Sequence, residues 1–295
     1  MMKVAIFGQY YQNSTEPIIE DIFAFFNTTN VELVIEFDFL KILQEKKLIS
    51  GTYNTFKGYN ELDASFDILI SIGGDGTILR AATYVRDLGI PILGVNAGRL
   101  GFLATVQKDH IHEFMRKVIE KKFTISERTL LSLSCSPEIP EILDLDFAMN
   151  EVTVSRKDTT SMITIETYLN GEYLNSYWAD GLIVSTPTGS TGYSLSCGGP
   201  VLTPDVRSLV ITPIAPHNLN ARPLVIPDET EIRLRVSGRE QQYLVSLDSR
   251  IASVRNESVL TITKTPFKIK MVEIQDETFL KTLRNKLLWG EDKRN

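Results

Sequence analysis

The sequence predicts two domains, an α/β domain built on an open parallel sheet and then a β-sandwich-like domain. The first prediction rests on residues 1–122, where nearly continuous apolar runs alternate with segments of helical spacing. The second rests on residues 123–274, where short runs of alternating apolar and polar residues replace the helical period. A helical stripe in the last part of the chain, about 275–295, is expected to belong to the first domain.

Strands and helices are expected to alternate along the first domain. Strands are predicted at 4–7, 31–37, 68–72 and 90–95. Helices are predicted at about 15–26, 40–43, 78–85 and 108–121. Polar and irregular residues at 50–63 are predicted to form a surface loop. This βαβα order favours a parallel sheet with helices on its faces.

The second domain is predicted from strand patterns and one turn. Asn170-Gly171 follows an alternating run at 163–169, and this dipeptide is a strong hairpin signal. Further alternating runs lie at 232–236, 243–247 and 267–271.

The final helix is expected to begin after Asp276, which can cap it. Its apolar stripe is formed by Phe279, Leu280, Leu283 and Leu287. Since a lone helix cannot bury such a stripe, we expect it to pack on the first domain.

Composition argues against several partners. The chain of 295 residues has a formal net charge of −6 and no basic cluster, so nucleic acid is not expected to bind. It shows neither a signal peptide nor an apolar run of about 18 residues, which predicts a cytoplasmic protein without a membrane partner. Its two cysteines, Cys135 and Cys197, lie far apart and form no metal-type spacing.

A glycine turn after the run at 68–72 is the first candidate for a functional site. Gly73-Gly74-Asp75-Gly76-Thr77 joins a buried strand to a helix, which is the geometry in which α/β sheets bind phosphate. A carboxylate is a poor phosphate ligand but suits a group that binds a hydroxyl or takes its proton. Asp75 is therefore a candidate catalytic residue, and the alternative is that it only caps the helix.

Two more candidates lie in the predicted β domain. The segment 177–194 carries glycines and hydroxyls after Asp180, and Tyr193 near its end can stack on a flat base. By composition alone this segment fits a plain loop as well. The pair Asn150-Glu151 interrupts an apolar run. Glu151 can accept both hydroxyls of a ribose and Asn150 can read a base edge, whereas a bulge or an edge strand is the structural alternative.

Other enzyme classes find no support in the sequence. There is no G-x-x-x-x-G-K-[ST] loop and no G-x-G-x-x-G after the first strand. Ser190 has neither a G-x-S-x-G context nor a nearby histidine, which argues against a hydrolase triad. His110 and His112 fall on different faces of a predicted helix and are expected at the surface, and His217 alone is a weak metal candidate.

Together, the three candidate segments resemble the signature motifs of the NAD kinase family. The motifs are GGDGT at 73–77, Asn150-Glu151, and DGLIVSTPTGSTGYSLSCGGP from Asp180. Their order and spacing match over nearly the whole chain, including NAGRLGFLA at 96–104 and VITPIAPHNLNARPLV further on. GGDGT alone also resembles the motifs of diacylglycerol-kinase-like lipid kinases and of phosphofructokinases, so the specificity comes from the other two motifs.

The resemblance implies a Rossmann-like domain followed by a β-rich NAD-binding domain. The active site would lie between them, often completed by a neighbouring subunit of a homodimer or homotetramer. The implied reaction moves the γ-phosphoryl group of ATP, or phosphate from polyphosphate or another donor, to the 2′-hydroxyl of the adenosine ribose of NAD. A divalent cation, Mg²⁺ or Mn²⁺, would bridge the donor phosphates, and no all-protein metal site is expected. The alternatives are a lipid or sugar kinase that shares only GGDGT and a non-catalytic dinucleotide-binding protein.

The resemblance also assigns roles to residues. Asp75 matches the aspartate that activates the acceptor hydroxyl, and Asn150 and Glu151 match the pair that holds adenosine and ribose. The implied substrate-binding residues are Gly74, Asp75, Gly76, Thr77, Arg80, Phe102, Asn150, Glu151, Ser161, Trp178, Ala179, Asp180, Thr188, Thr191, Gly192, Tyr193, Ser194, Leu195, Ser196 and Arg250.

Three of these positions depart from the family pattern. Trp178 stands where a basic residue is common, which puts a phosphate or carboxamide contact there in question. Gly192 replaces the usual alanine and loosens the loop. Arg250 stands where glutamine is common, and its charge is expected to favour an NADP 2′-phosphate or a pyrophosphate.

Overall fold

The computed structural model describes residues 1–98, 100–158, 161–273 and 278–289 and contains two compact units. The first unit contains Met1–Glu127 and Ile269–Asn295, and the second contains Arg128–Lys268. Up to Arg128 the elements are β1 (Met2–Gly8), α1 (Glu16–Phe26), β2 (Val31–Glu36), α2 (Phe37–Glu45), β3 (Asn54–Phe56), β4 (Ile68–Gly73), α3 (Asp75–Val85), β5 (Ile92–Asn96), α4 (Ile111–Ile119) and β6 (Thr124–Arg128), with 3₁₀ helices at Tyr59–Glu61 and Lys108–His110.

The remaining elements belong to the second unit except for the last two. They are β7 (Leu131–Ser136), α5 (Pro140–Leu143), β8 (Phe147–Ala148), β9 (Glu151–Arg156), β10 (Ile163–Leu169), β11 (Glu172–Ala179), β12 (Gly181–Ser185), α6 (Tyr193–Ser196), β13 (Ser208–Ile214), β14 (Leu224–Pro227), β15 (Ile232–Ser237), β16 (Gln242–Leu247), β17 (Arg250–Arg255) and β18 (Val259–Lys264), with a 3₁₀ helix at Gly189–Thr191. The chain then returns to the first unit through β19 (Ile269–Glu273) and α7 (Phe279–Leu287).

The first unit is built on one seven-stranded sheet in the order β3-β2-β1-β4-β5-β19-β6. β1 pairs in parallel with β2 on one side and with β4 on the other, and β4 and β5 continue in parallel. Because the chain restarts at β4 beside β1, the carboxyl ends of these two strands form the crevice where open α/β sheets bind ligands. The predicted open parallel sheet is confirmed.

The spacing of apolar residues in the sequence predicted the core of the first unit correctly. α1 buries Ile18, Ile19, Ile22, Phe23 and Phe26, which are the residues of its predicted apolar face. β4 is buried along its whole length, as its continuous apolar run predicted for a central strand with both faces covered. The sheet therefore holds the glycine turn at the end of β4 on a rigid base.

The second unit is a sandwich of two six-stranded antiparallel sheets. Their orders are β11-β10-β15-β18-β7-β8 and β14-β13-β12-β9-β16-β17. Alternate residues of both sheets, such as Ile165 and Val154, share one hydrophobic core. Asn170 and Gly171 form the two-residue loop between β10 and β11 with φ of 49° and 84°, the positive values of a type I′ turn. The β-sandwich-like domain and its hairpin are confirmed.

Two local predictions were wrong. Residues 50–63 do not form only a loop, because β3 adds to the edge of the first sheet and buries Phe56 completely. β3 has only three residues, which are too few to show an alternation of apolar and polar side chains. The run at 267–271 was assigned to the β domain, yet β19 pairs in parallel with β5 through Met271 and Ile92. Alternation shows that one face of a strand is buried, but it does not identify the sheet.

The C-terminal helix belongs to the first unit, as predicted. The ring of Phe279 lies 6.1 Å from that of Phe102, and Leu283 is buried, although Leu280 remains exposed. Thr278 caps α7 by accepting a hydrogen bond from the Lys281 N–H. The predicted cap, Asp276, lies outside the described residues. Among the helices that the structure describes, none is long and apolar enough to cross a membrane.

Candidate functional site

The glycine turn between β4 and α3 leaves part of its backbone open. A Cβ atom added to Gly73 would lie 2.2 Å from the Thr77 hydroxyl oxygen, so packing inside the turn requires glycine there. A Cβ added to Gly74 or Gly76 would meet no protein atom within 4 Å. The protein itself does not need these two glycines, and their bare backbone is accessible to a ligand.

The side chain of Asp75 is bound to the segment after β5. Asp75 Oδ2 accepts a hydrogen bond from the Phe102 N–H at 2.8 Å, and Oδ1 accepts from those of Leu103 and Ala104 at 2.9 and 3.0 Å. These bonds join the turn at 73–77 to the segment at 96–104. A carboxylate offers about four acceptor positions, so three N–H groups leave about one for another donor.

The other predicted residues of the first unit surround this turn. The Thr77 side chain is buried, and its hydroxyl has no hydrogen-bond partner among the described residues. Arg80 is exposed on α3 with its guanidinium carbon 5.4 Å from the centre of the Phe7 ring. Phe102 is half-buried, and Lys286 Nζ lies 5.1 Å from the centre of its ring. The structure therefore brings Thr77, Arg80 and Phe102 to the same region as Asp75.

In the second unit, a buried carboxylate holds the pair Asn150-Glu151. Asp248 Oδ1 accepts from the N–H groups of Asn150 and Glu151 at 2.8 and 3.2 Å, and Oδ2 accepts from that of Met149 at 3.0 Å. The Asp248 N–H in turn donates to the Glu151 carbonyl at 3.0 Å. Glu151 begins β9, an interior strand of its sheet, so the edge-strand alternative is wrong.

Each residue of this pair has a side-chain oxygen that is left unbonded within the described part of the chain. Asn150 Oδ1 and Glu151 Oε2 are buried without a hydrogen-bond partner among the described residues. Burial, and to a lesser extent the charge of Asp248, raises the pKa of Glu151 to about 8. Its carboxyl group is therefore mostly protonated at neutral pH and can both donate and accept a hydrogen bond.

The segment after β12 folds over the pair. A Cβ atom added to Gly189 would lie 2.1 Å from the Asn150 carbonyl oxygen, and one added to Gly192 would lie 3.3 Å from Glu151 Oε2. Tyr193 is 45 % exposed and is free to stack on a ligand. Most hydroxyls of the segment instead bond to the protein itself, namely those of Thr186, Ser190, Thr191 and Ser194. The segment shapes the site more than it supplies hydroxyl donors.

At the end of β11, the predicted residues have separate surroundings. Trp178 is 50 % exposed, and its ring lies 4.3 Å from that of His217. The Ala179 side chain belongs to the sandwich core. The Asp180 carboxylate forms an ion pair with Arg156 at 3.1 Å. Asp180 is therefore held in a defined position, while only Trp178 offers an exposed aromatic surface.

Arg250 is largely engaged inside the unit. Its guanidinium donates to the Leu145 carbonyl at 2.6 Å and to the Phe147 carbonyl, and it lies 3.9 Å from the Asp248 carboxylate. Of the remaining predicted residues, Thr188 is buried, Ser161 and Leu195 are half-buried, and Ser196 is exposed.

Sequence reasoning missed Asp248. It lies between the alternating runs of β16 and β17, where an aspartate is an ordinary turn residue. Nothing local in the sequence indicates that its side chain reaches Asn150 and Glu151, which are 98 and 97 residues away along the chain.

Known proteins match this chain along almost its whole length. Residues 4–123 match the model of the ATP-NAD kinase N-terminal domain, and residues 149–274 match that of the ATP-NAD kinase C-terminal domain. The NAD kinase of Flavobacterium psychrophilum is 74 % identical over 294 residues, which cover 100 % of both chains.

Two solved structures share the fold. The yeast NADH kinase complexed with NADH superposes with a TM-score of 0.87 at 21 % identity, covering 100 % of this chain and 89 % of that one. The NAD kinase from Archaeoglobus fulgidus in complex with ATP has a TM-score of 0.73 at 26 % identity, covering 97 % of this chain and 99 % of that one.

The fold, the glycine turn and these similarities define a phosphotransferase whose acceptor is an alcohol group. The chain belongs to the ATP-NAD kinase family. Neither alternative, a lipid or sugar kinase or a non-catalytic dinucleotide-binding protein, finds support in these comparisons.

Proposed function

We propose that this chain transfers the γ-phosphoryl group of ATP to the 2′-hydroxyl of the adenosine ribose of NAD and so makes NADP. Family membership supports this reaction. The main structural support is the Asp75 carboxylate, which three N–H groups hold in place. It lies in a turn where the backbone of Gly74 and Gly76 is accessible to a ligand.

Asp75 orients the acceptor hydroxyl. Its remaining acceptor position takes a hydrogen bond from the 2′-hydroxyl, and its fixed geometry directs that oxygen at the donor phosphorus. As the new O–P bond forms, the bond from the γ-phosphorus to the β–γ bridging oxygen breaks, ADP leaves, and the hydroxyl proton passes to Asp75. Phosphoryl transfer depends chiefly on positioning and charge neutralisation, which suits a single carboxylate.

Asn150 and Glu151 hold the adenosine part of NAD. Two of their oxygens are buried with no bond to any described residue, and a ribose hydroxyl and a base edge supply the polar partners that they require. With its raised pKa, the Glu151 carboxyl donates a hydrogen bond as well as accepting one. The segment that contains Gly192 and Tyr193 closes over the dinucleotide.

The other predicted residues complete the site. Gly76 and Arg80 lie near the phosphates, and Thr77 and Phe102 also contact the substrate. The dinucleotide contacts Ser161, Trp178, Asp180, Thr188, Thr191, Leu195 and Ser196. The Ala179 side chain, the Ser194 hydroxyl and the Arg250 guanidinium are engaged within the protein and support the site from behind. A homodimer or homotetramer and a cytoplasmic location complete the proposal.

A divalent cation, Mg²⁺ or Mn²⁺, accompanies the phosphate donor. Among the described residues there is no group of three or more His, Cys, Asp or Glu that could hold a metal. Mg²⁺ is commonly bound by substrate phosphates with only one or two carboxylates. A site without its own metal cluster therefore fits a cation that arrives with the phosphate donor. When bound, it would neutralise charge on the donor phosphates.

The test is NADP formation by the purified protein with NAD, ATP and Mg²⁺, detected with an NADP-specific dehydrogenase. Asp75→Asn is expected to lower the rate by several orders of magnitude. In this variant an amide N–H₂ group replaces one carboxylate oxygen and faces backbone N–H donors. Thermal unfolding must therefore show that the variant is folded. Glu36→Gln is the matched control, since Glu36 is a buried carboxylate of the same unit that binds the Phe39 N–H. A wild-type chain that makes no NADP with ATP or polyphosphate would refute the proposal.

A further inference from the structure

Three successive N–H groups converge on one buried carboxylate in the second unit. Met149, Asn150 and Glu151 all donate to Asp248, whose side chain is only 6 % exposed. Successive N–H groups point at one anion only where the chain bends into a concave nest. The backbone between β8 and β9 has this bend, and the Asp248 carboxylate fills it.

The turn that carries Asp248 does not itself require an aspartate. Leu247 pairs with Arg250, so Asp248 and Ser249 form a two-residue hairpin loop between β16 and β17. Asp248 has a φ of 53°, a left-handed conformation that glycine adopts without the steric cost of a Cβ atom. The side chain is therefore explained by its contacts beyond the turn.

Asp248 is too deeply buried to serve as an exposed ligand group, so it acts through its neighbours. Its three acceptor contacts fix the backbone of Asn150 and Glu151, which fixes where Asn150 Oδ1 and Glu151 Oε2 lie. Both of these oxygens are buried and have no hydrogen-bond partner in the part of the chain that the structure describes. An unpartnered buried acceptor binds a ligand well only if it is held in one position, because reorientation would weaken every contact.

We propose that Asp248 is a positioning residue for acceptor binding, which it supports by holding Asn150 and Glu151 in the orientation that receives the adenosine ribose of NAD. This inference rests on the proposed function, because that function makes the pair the acceptor site. It predicts that removal of the carboxylate weakens NAD binding specifically and leaves the donor side unaffected.

Asp248→Gly separates positioning from folding, because glycine suits the turn while the carboxylate is lost. We expect the Kd for NAD, measured by titration calorimetry without ATP, to rise about tenfold to a hundredfold. The KM for NAD should rise similarly, while the KM for ATP changes less than about twofold. Asp248→Asn, which keeps one of the two acceptor oxygens, should give an intermediate Kd for NAD.

Glu257→Gly is the matched control. Glu257 is an exposed acidic residue of the same unit with a φ of 67°, so the change likewise replaces a carboxylate side chain by glycine at a left-handed position. It should leave the Kd for NAD unchanged. Circular dichroism and thermal unfolding show whether each variant is folded.

The proposal is overturned if folded Asp248→Gly binds NAD like the wild type. It is also overturned if the KM values for NAD and ATP rise together, as a general structural defect would cause. If the wild type binds NAD but makes no NADP, and Asp248→Gly weakens that binding, the positioning role stands and the proposed reaction fails. A wild-type chain that binds no NAD would overturn both.

Discussion

The Asp75 carboxylate occupies the space that a side chain on Gly101 would need. A Cβ atom added to Gly101 would lie 1.8 Å from Asp75 Oδ1. The three residues after Gly101 donate their N–H groups to the same carboxylate. Gly101 has no positive φ, so its glycine is required by close approach and not by backbone conformation.

Gly101→Ala is expected to displace the Asp75 carboxylate. Loss of its N–H contacts should lower the free energy of unfolding by about 1–3 kcal/mol. NADP formation should fall about a hundredfold or more, since a small misplacement of a reacting group has effects of this size. Denaturant unfolding and the NADP assay measure the two effects.

Gly98→Ala is the control in the same segment, because a Cβ at that position meets nothing within 4 Å. Its free energy of unfolding should stay within about 0.5 kcal/mol of the wild-type value. Wild-type stability and rate in Gly101→Ala would contradict the contact between Asp75 and this segment.

Glu151 is expected to make stability depend on pH. Burial and the charge of Asp248 raise its pKa from 4.5 to about 8. Between these values the folded protein holds a proton that the unfolded chain releases, so this group lowers stability as the pH rises through that window. Glu151→Gln removes the effect. The variant should therefore gain stability relative to the wild type between about pH 5 and pH 8, by at most about 5 kcal/mol.

Urea unfolding at several pH values measures this difference. Glu257→Gln changes an exposed glutamate of the same unit. Its free energy of unfolding should depend on pH as that of the wild type does between these pH values. A constant difference between Glu151→Gln and the wild type would show that Glu151 titrates normally.

Arg250→Gln is expected to destabilise the second unit. Arg250 donates to the carbonyls of Leu145 and Phe147 and lies close to Asp248, so the free energy of unfolding should fall by about 1–3 kcal/mol. Since these donors are already engaged, the affinities for NAD and NADP should change by the same factor. Thermal unfolding and calorimetric titration with both ligands measure this.

Arg255→Gln, at an exposed arginine on the same strand, should have little effect on either quantity. A selective loss of NADP affinity in Arg250→Gln would instead support the expectation that Arg250 binds the 2′-phosphate.

Much of the fold could be predicted from local patterns. The continuous run of β4, the apolar face of α1 and the Asn170-Gly171 turn each depend on neighbouring residues, and each has its predicted form. The sheet that β19 joins depends on pairing with β5, far away along the chain. Alternating residues contain no information about that partner.

The site was predictable to a similar extent. Motifs indicated Asp75, Asn150 and Glu151, because unusual polar residues stand at the ends of apolar runs. They did not indicate Asp248, since its contacts are long-range and its turn is ordinary. Ser194 was expected to face a ligand, whereas its hydroxyl bonds to that of Thr212. The sequence shows that a hydroxyl is present but not the direction in which it points.

The position of β19 has a consequence for the order in which the chain folds during synthesis. β19 lies between β5 and β6, yet it is made only after the whole second unit. Until the ribosome has released residues 269–273, β5 lacks its neighbour at Ile92, although its end at residues 94–96 is paired with Val106. An open stretch of strand edge can pair with other chains. The second unit can fold first from contiguous sequence. The first unit, although it begins the chain, is completed last.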